Sequence, residues 1–168
     1  MNSQSSASSA TPASSREGSL APAENLLRKI IQAAGLQLEF SARREAAPEG
    51  LEIVLDFSGP DSDLLLEGNG TLLDALEYVA QGAVRLEERH EGRLQLDCQG
   101  YRAVRAEELK LTARLAAERV IETGTPFPLS PMNPRDRRVV HLALREERRV
   151  RTESQGFGAE RKVVIYPA

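Results

Sequence analysis

Arg137 and His141 are separated by three residues in the segment Met132-Asn-Pro-Arg-Asp-Arg-Arg-Val-Val-His141. Residues four apart share one face of a helix, so a guanidinium and an imidazole project together if this segment is helical. A planar fork of donors beside a ring nitrogen suits a phosphate group. Arg135, Arg138, Arg149, Arg151, Arg161 and Lys162 extend the basic character. The plain alternative is a solvated basic helix face with one histidine satisfied by the fold, and the spacing alone does not choose between them.

Little else in the chain has the residue types that chemistry needs. The one cysteine, Cys98, rules out an internal disulfide framework and fits a reducing compartment. His90 sits in the charge run Glu87-Glu-Arg-His-Glu91, where Glu87, Glu88 and Glu91 read as a solvated face rather than acid/base groups. His141 and Cys98 make no metal-ligand spacing, and there is no Cys-x-x-Cys. Serines cluster only in the first residues, without the setting of a nucleophile. No catalytic set, metal site or cofactor is expected, and the chain reads as a non-enzyme. A nuclease is a distant third reading.

The helix carrying Arg137 and His141 is expected to begin with Asn133 as N-cap and Pro134 in its first position, and to run to about Glu146. Arg145 then continues its face, with Arg148 near its end. Residues 148–154 and 161–166 alternate as strands around the hairpin loop Gln155-Gly-Phe-Gly158, and Phe127 and Leu129 suit a short strand. Before them, residues 101–123 read as one long helix ended by Gly124, with Val104, Leu111, Leu115 and Ala116 on its apolar side.

Upstream, Leu26, Leu27, Ile30, Ile31 and Ala34 recur at helical spacing before Gly35, a natural C-cap. Leu36, Leu38, Phe40 and Ala42 alternate, as do Leu51, Ile53, Leu55 and Phe57, with a turn at 45–50 between them. A short apolar run, Leu64-Leu-Leu66, is broken by Gly68 and Gly70. A second helical stripe of Leu72, Leu73, Leu76, Val79, Ala80 and Ala83 follows, and then the strand of Leu94, Leu96 and Cys98. The predicted order over residues 23–100 is α-β-β-α-α-β, an α+β layer on a three-stranded sheet. Residues 1–22, rich in Ser and Ala, bury too little surface to offset their ordering entropy and read as a disordered tail.

Charge divides the chain. Residues 24–100 hold 7 basic and 15 acidic side chains, a net −8, whereas residues 125–168 hold 9 and 5, a net +4. The C-terminal part suits a polyanion and the acidic middle resists one. Aromatic residues are only 4% of the chain and Trp is absent, which argues against single-strand binding by an aromatic stacking platform. No apolar run reaches the length of a membrane span, and the first residues lack the pattern of a signal peptide, so a cytoplasmic protein without membrane insertion is expected.

The run Pro131–Leu144, then Val150-Arg-Thr-Glu-Ser-Gln-Gly156, then Arg161-Lys-Val-Val-Ile-Tyr-Pro167, resembles a whole R-three-H domain over residues 125–168. That domain is named for an arginine and a histidine three residues apart, here Arg137 and His141. Tyr101-Arg-Ala-Val-Arg105 and the helix ending at Thr123-Gly124 are similar to the connector of the bacterial Jag (SpoIIIJ-associated) proteins, which place a type II KH domain before the R-three-H domain. The α-β-β-α-α-β order of residues 23–100 fits that KH topology independently. The resemblance implies single-stranded nucleic-acid binding, with RNA favoured and DNA left open, and post-transcriptional regulation linked to cell-envelope growth and division. It also implies a small stand-alone KH protein as partner. Arg137 and His141 are then the central contacts, with Arg138, Arg151 and Arg161 around them, gripping backbone with modest sequence preference. The family's usual N-terminal domain is expected to be missing, with the Ser/Ala tail in its place.

One motif departs from the family. A KH domain clamps nucleotide backbone with a Gly-x-x-Gly loop. Aligning Leu73-Asp-Ala-Leu76 with the segment that follows this loop gives Glu67-Gly68-Asn69-Gly70, a degenerate loop with a carboxylate in place of the first glycine and no cation. Like charge opposes phosphate. The KH unit is therefore expected to be structural or to dock a protein. In the rival reading the whole chain is an interaction scaffold built on that acidic unit.

Overall fold

The computed structural model describes residues 20–47, 50–85 and 93–168. The chain forms two compact units, one ending at Cys98 and the other spanning Gln99–Ala168.

The first unit opens with α1, Ala21–Ala34, which buries Ala23, Leu27 and Ile31 along one face. Gly35 ends it at φ +67°, and the N–H of Leu36 returns to the carbonyl of Ile31, a left-handed cap that glycine enters without strain. Ala21 and Pro22, expected in the tail, are thus the first turn of α1, because proline suits that position. The rest of the expected tail, residues 1–19, lies outside the described residues, as do His90, Glu87, Glu88 and Glu91.

Strands β1, Glu39–Ala47, and β2, Gly50–Ser58, pair antiparallel from Glu39 opposite Ser58 to Ala47 opposite Gly50. β3, Arg93–Cys98, lies parallel to β2 on its other side, giving the sheet order β1-β2-β3. A parallel neighbour requires a crossover, and α2, Ser62–Arg85, supplies it. Leu65, Leu73, Leu76, Ala80 and Val84 of α2 are buried, as are Ile53, Leu55 and Phe57 of β2 and Leu94, Leu96 and Cys98 of β3. The expected α-β-β-α-α-β order and α+β class are borne out, for α2 is two helices joined through non-helical residues 67–70.

Among the described residues, the outer edge of β3 is met by side chains rather than by another strand. Glu77, almost fully buried, accepts the N–H of Leu96 at 3.0 Å, and Gln81 one turn later donates to the carbonyl of Leu94 at 2.8 Å. Two side chains at i and i+4 thereby occupy ladder positions that an open edge leaves unpaired.

The second unit begins with α3, Tyr101–Thr123. It continues through β4, Phe127–Pro128, α4, Pro134–Ala143, β5, Val150–Gln155, a short 3₁₀ turn at Gly158–Glu160, and β6, Lys162–Pro167. Its sheet has the order β4-β6-β5, all antiparallel. Leu109, Ala113, Ala116, Ala117 and Val120 of α3 form the core with Val140, Leu144, Val150, Val163 and Ile165. The helix expected as a connector over 101–124 is therefore packed into this unit.

The apolar side expected for α3 is corrected. Val104, Leu111 and Leu115 are 57–59% exposed, and of the residues named only Ala116 is buried. The core side is the stripe Leu109, Ala113, Ala116/Ala117, Val120. Its three alanines let the neighbouring helix and sheet approach closely. A side-chain hydrophobicity count favours the leucine stripe, but the surface opposite selects the alanine one.

Candidate nucleic-acid interface

The site is built on α4 and the strand beside it. Asn133 caps the helix, its side chain accepting the N–H of Asp136 at 2.7 Å, and Pro134 follows in the first turn. This start is as expected, but the end is not. The helix stops at Ala143 rather than near Glu146, so Arg145 and Arg148 lie in turns beyond it and do not continue the Arg137 face.

Arg137 and His141 lie one turn apart on α4. The Arg137 guanidinium donates through Nη1 to the carbonyl of Met132 at 2.9 Å, while the N–H of Met132 donates to the carbonyl of Arg161 at 3.1 Å. The Met132 backbone thus links the arginine on α4 to the one that precedes β6. Burial first, and the charge of Arg161 second, push the Arg137 guanidinium below the ordinary arginine value. Two cations held near one another, neither ion-paired with a carboxylate among the described residues, favour an anion between them.

His141 is clasped by β5. Its Nδ1 lies 2.6 Å from Thr152 Oγ1 and its Nε2 2.9 Å from Ser154 Oγ. A neutral imidazole has one donor and one acceptor nitrogen. One hydroxyl therefore accepts from the ring and keeps its own O–H to give elsewhere, and the other spends its O–H on the ring. A protonated ring donates from both nitrogens and releases both O–H groups outward. Burial, and then the neighbouring Arg137 charge, lower the His141 pKa below its ordinary value of 6.5, which favours the neutral ring. The charge acting on His141 is that of Arg137 on α4, on which Arg161, just before β6, acts in turn.

A sign follows for stability. With the folded pKa lowered, the unfolded chain takes up the proton first as pH falls. The contribution of His141 is complete above pH 6.5 and is lost as pH drops through the folded value. The second unit should show a lower Tm at about pH 5 than at about pH 8, and His141→Gln should flatten that difference. An unchanged pH dependence in the variant would remove His141 as its source.

Arg161 stands beside Arg137, as the sequence grouped them. Arg138 is also on α4 but faces more to solvent than Arg137 or His141. Arg151 is not brought into the cluster. It lies on the opposite face of β5 from Thr152 and Ser154, ion-paired with Glu153 and stacked 4.4 Å from the Tyr166 ring. Arg149 is likewise paired with Glu147 at 2.8 Å, holding that carboxyl down to about 2. Arg105 pairs with the buried Asp136 at 3.1 Å. Thr152 and Ser154 were missed in the sequence. Their signal is the period-two alternation of β5, which puts them on the same face as core Val150. The Met132 carbonyl has no such signal.

In the first unit the loop Glu67–Gly70 falls between the two halves of α2, with φ of +58°, +62° and +75° at Gly68, Asn69 and Gly70. Glu67 has φ −57° and ψ 148°, extended backbone open to any residue. A glycine is not required there, which explains how a carboxylate stands in that position. Among the described residues, no group of three or more His, Cys, Asp or Glu side chains is arranged to hold a metal, and no helix is long and apolar enough to cross a membrane.

Residues 107–167 match the R-three-H domain family, and the second unit is an R-three-H domain. The chain is 30% identical over 139 residues to the RNA-binding protein KhpB of Clostridium symbiosum, covering 83% of this chain and 62% of that protein. It is 32% identical over 111 residues to the protein of that name from Lactiplantibacillus plantarum, covering 66% and 34%, and 30% identical over 110 residues to the one from Bacillus subtilis, covering 64% and 53%. The chain thus spans from about a third to about three-fifths of the length of these relatives. It is similar to these proteins over most of its own length, and to the R-three-H domain family over residues 107–167.

Proposed function

We propose that the second unit binds single-stranded nucleic acid, with RNA as its first candidate ligand and DNA as the second, by gripping its phosphodiester backbone. The observation that carries this is the cluster at α4 and β5. Arg137 and Arg161 are without a carboxylate partner among the described residues, and His141 orients the hydroxyls of Thr152 and Ser154 beside them. The R-three-H domain and relatives named as RNA-binding proteins support the same reading. Arg138 serves as a peripheral contact. Arg151, neutralised by Glu153 on the other face of β5, is left to structure. Residues 23–100 form a degenerate KH unit whose cation-free loop contributes little to phosphate binding. Post-transcriptional regulation linked to cell-envelope growth, and a small stand-alone KH protein as partner, complete the proposal.

Fluorescence anisotropy with a labelled single-stranded RNA at low and near-physiological salt tests it. The chain should bind, more weakly as salt rises. The double variant Arg137→Ala with His141→Ala, folded as judged by circular dichroism, should bind roughly 10- to 150-fold more weakly, the loss of one charge-assisted phosphate contact. Equal binding by both proteins would remove the site. Phosphate beside the ring favours imidazolium, so affinity should also rise as pH falls from about 8 to about 6, opposite in sign to stability, and that rise should be absent in His141→Gln.

A second reading, a protein-docking scaffold, is favoured by the exposed Leu64, Leu72, Tyr78 and Val79 on α2, around a loop that holds Glu67 rather than a cation. Glu67→Lys should weaken such a complex while adding little RNA affinity. A large gain in RNA affinity would instead restore the loop as a nucleic-acid contact.

A further inference from the structure

Phe157 is 91% exposed, more than any other large apolar side chain among the described residues. An isolated exposed apolar residue is ordinary. This one is distinguished by where it stands and how its backbone is held. It lies three residues after Ser154, which binds His141, and four before Arg161, which stands beside Arg137. Both ends of its turn therefore belong to the phosphate cluster.

The turn is fixed by its backbone. Gly156 has φ +87°, and a Cβ there would lie 2.9 Å from the carbonyl oxygen of Glu160, so only glycine permits the chain to close so tightly. The N–H of Glu160 donates to the carbonyl of Phe157 at 3.2 Å, and the N–H of Arg161 to that of Gly158 at 3.4 Å. Gly158 is again left-handed at φ +53°. An aromatic ring with no ring or cation partner among the described residues is thereby held on a constrained turn rather than left on a long loop.

We infer that Phe157 is a stacking platform for a nucleobase of the strand whose phosphate is held by Arg137, Arg161 and the hydroxyl pair that His141 orients. A nucleotide offers an anion and a flat apolar face on one short framework, and this corner offers a complement to each. Every base has such a face, so the contact is indifferent to sequence. It also discriminates strandedness, because a base inside a duplex already has both faces covered by its neighbours. The scarcity of aromatics told against stacking, yet one exposed ring is enough for one base, and one stacked base strengthens binding about 5- to 150-fold. The inference rests on the nucleic-acid reading of the second unit and adds to it the group that would select unpaired bases.

The chain has no tryptophan, so Phe157→Trp places a single indole reporter at the tip without background. Titration with a single-stranded RNA should quench its emission. An abasic oligonucleotide of the same length and charge should bind through the phosphate cluster without quenching. In the otherwise unaltered chain, Phe157→Ala should weaken RNA binding by about 5- to 150-fold and leave affinity for the abasic strand unchanged. Equal quenching by both strands, or equal RNA affinity of parent and Phe157→Ala, would overturn the stacking role while leaving phosphate binding in place. Failure of the parent chain to bind either strand would overturn both.

Discussion

Asp136→Ala should destabilise the second unit by about 3 kcal/mol and weaken RNA binding with it. Asp136 is buried at the start of α4, and its carboxylate meets the Arg105 guanidinium from α3 at 3.1 Å. Removing one partner of a buried pair costs about 3–5 kcal/mol because the other charge is left without compensation. Arg105 is itself partly exposed and within 3.4 Å of Glu108, which relieves some of that penalty and places the effect at the low end. A unit of this size holds roughly 4–10 kcal/mol of stability in all, so the loss leaves it marginal. Because α4 carries Arg137 and His141, affinity should fall with the fold even though Asp136 touches no ligand. Asp136→Asn keeps an acceptor and should be milder. Urea unfolding followed by circular dichroism, with RNA anisotropy on the same samples, reads both effects. Full stability in Asp136→Ala would show that the pair contributes nothing net.

Gly59→Ala should do the reverse, opening the first unit while RNA binding persists. Gly59 follows β2 with φ +134°, and a Cβ there would lie 2.3 Å from the carbonyl oxygen of Gln37 and 3.2 Å from the Cα of Leu38. Both obstacles are backbone, and neither can swing aside. The corner is further tied by Asp61 accepting the N–H of Gln37 at 2.6 Å and by Ser62 donating to the carbonyl of Gly59 at 2.5 Å. Backbone strain and overpacking together should cost about 2–5 kcal/mol. The lone cysteine gives a local probe. Cys98 is fully buried in this unit, and burial, with Asp56, Asp97 and Asp63 nearby, pushes its thiol pKa up. A thiol reagent should therefore label the parent slowly and Gly59→Ala quickly, and leave Cys98 of Asp136→Ala protected. RNA affinity should be nearly unchanged in Gly59→Ala. If it collapses as Cys98 becomes reactive, the first unit contributes more to binding than its charge suggests.

The pattern of local signals along the chain was enough to place most elements. Apolar periodicity, Gly35 as a C-cap and Asn133-Pro134 as a helix start each depend on residues within a turn or two of one another, so they can be read before any tertiary contact exists. The same holds for the Arg137–His141 pairing and for the missing cation in the Glu67–Gly70 loop. Local signals failed where a partner distant in sequence decides. α3 has two stripes, one of leucines with a valine and one of alanines, and the closeness of α4 and the sheet selects the alanines. Glu77 and Gln81 read as ordinary polar positions of a helix until β3 presents them an open edge. The arginines look alike in sequence. Arg149 and Arg151 pair with Glu147 and Glu153 only two residues away, but Arg105 is taken by Asp136 from another helix, and Arg137 comes to stand beside Arg161, both through space. Residue types and short-range spacing thus determined that this chain carries a basic helix with an arginine–histidine face. Only the tertiary structure decided which charges remain uncompensated and which hydroxyls stand with them, because charge pairing and hydrogen bonding act across distances in space that sequence separation does not encode.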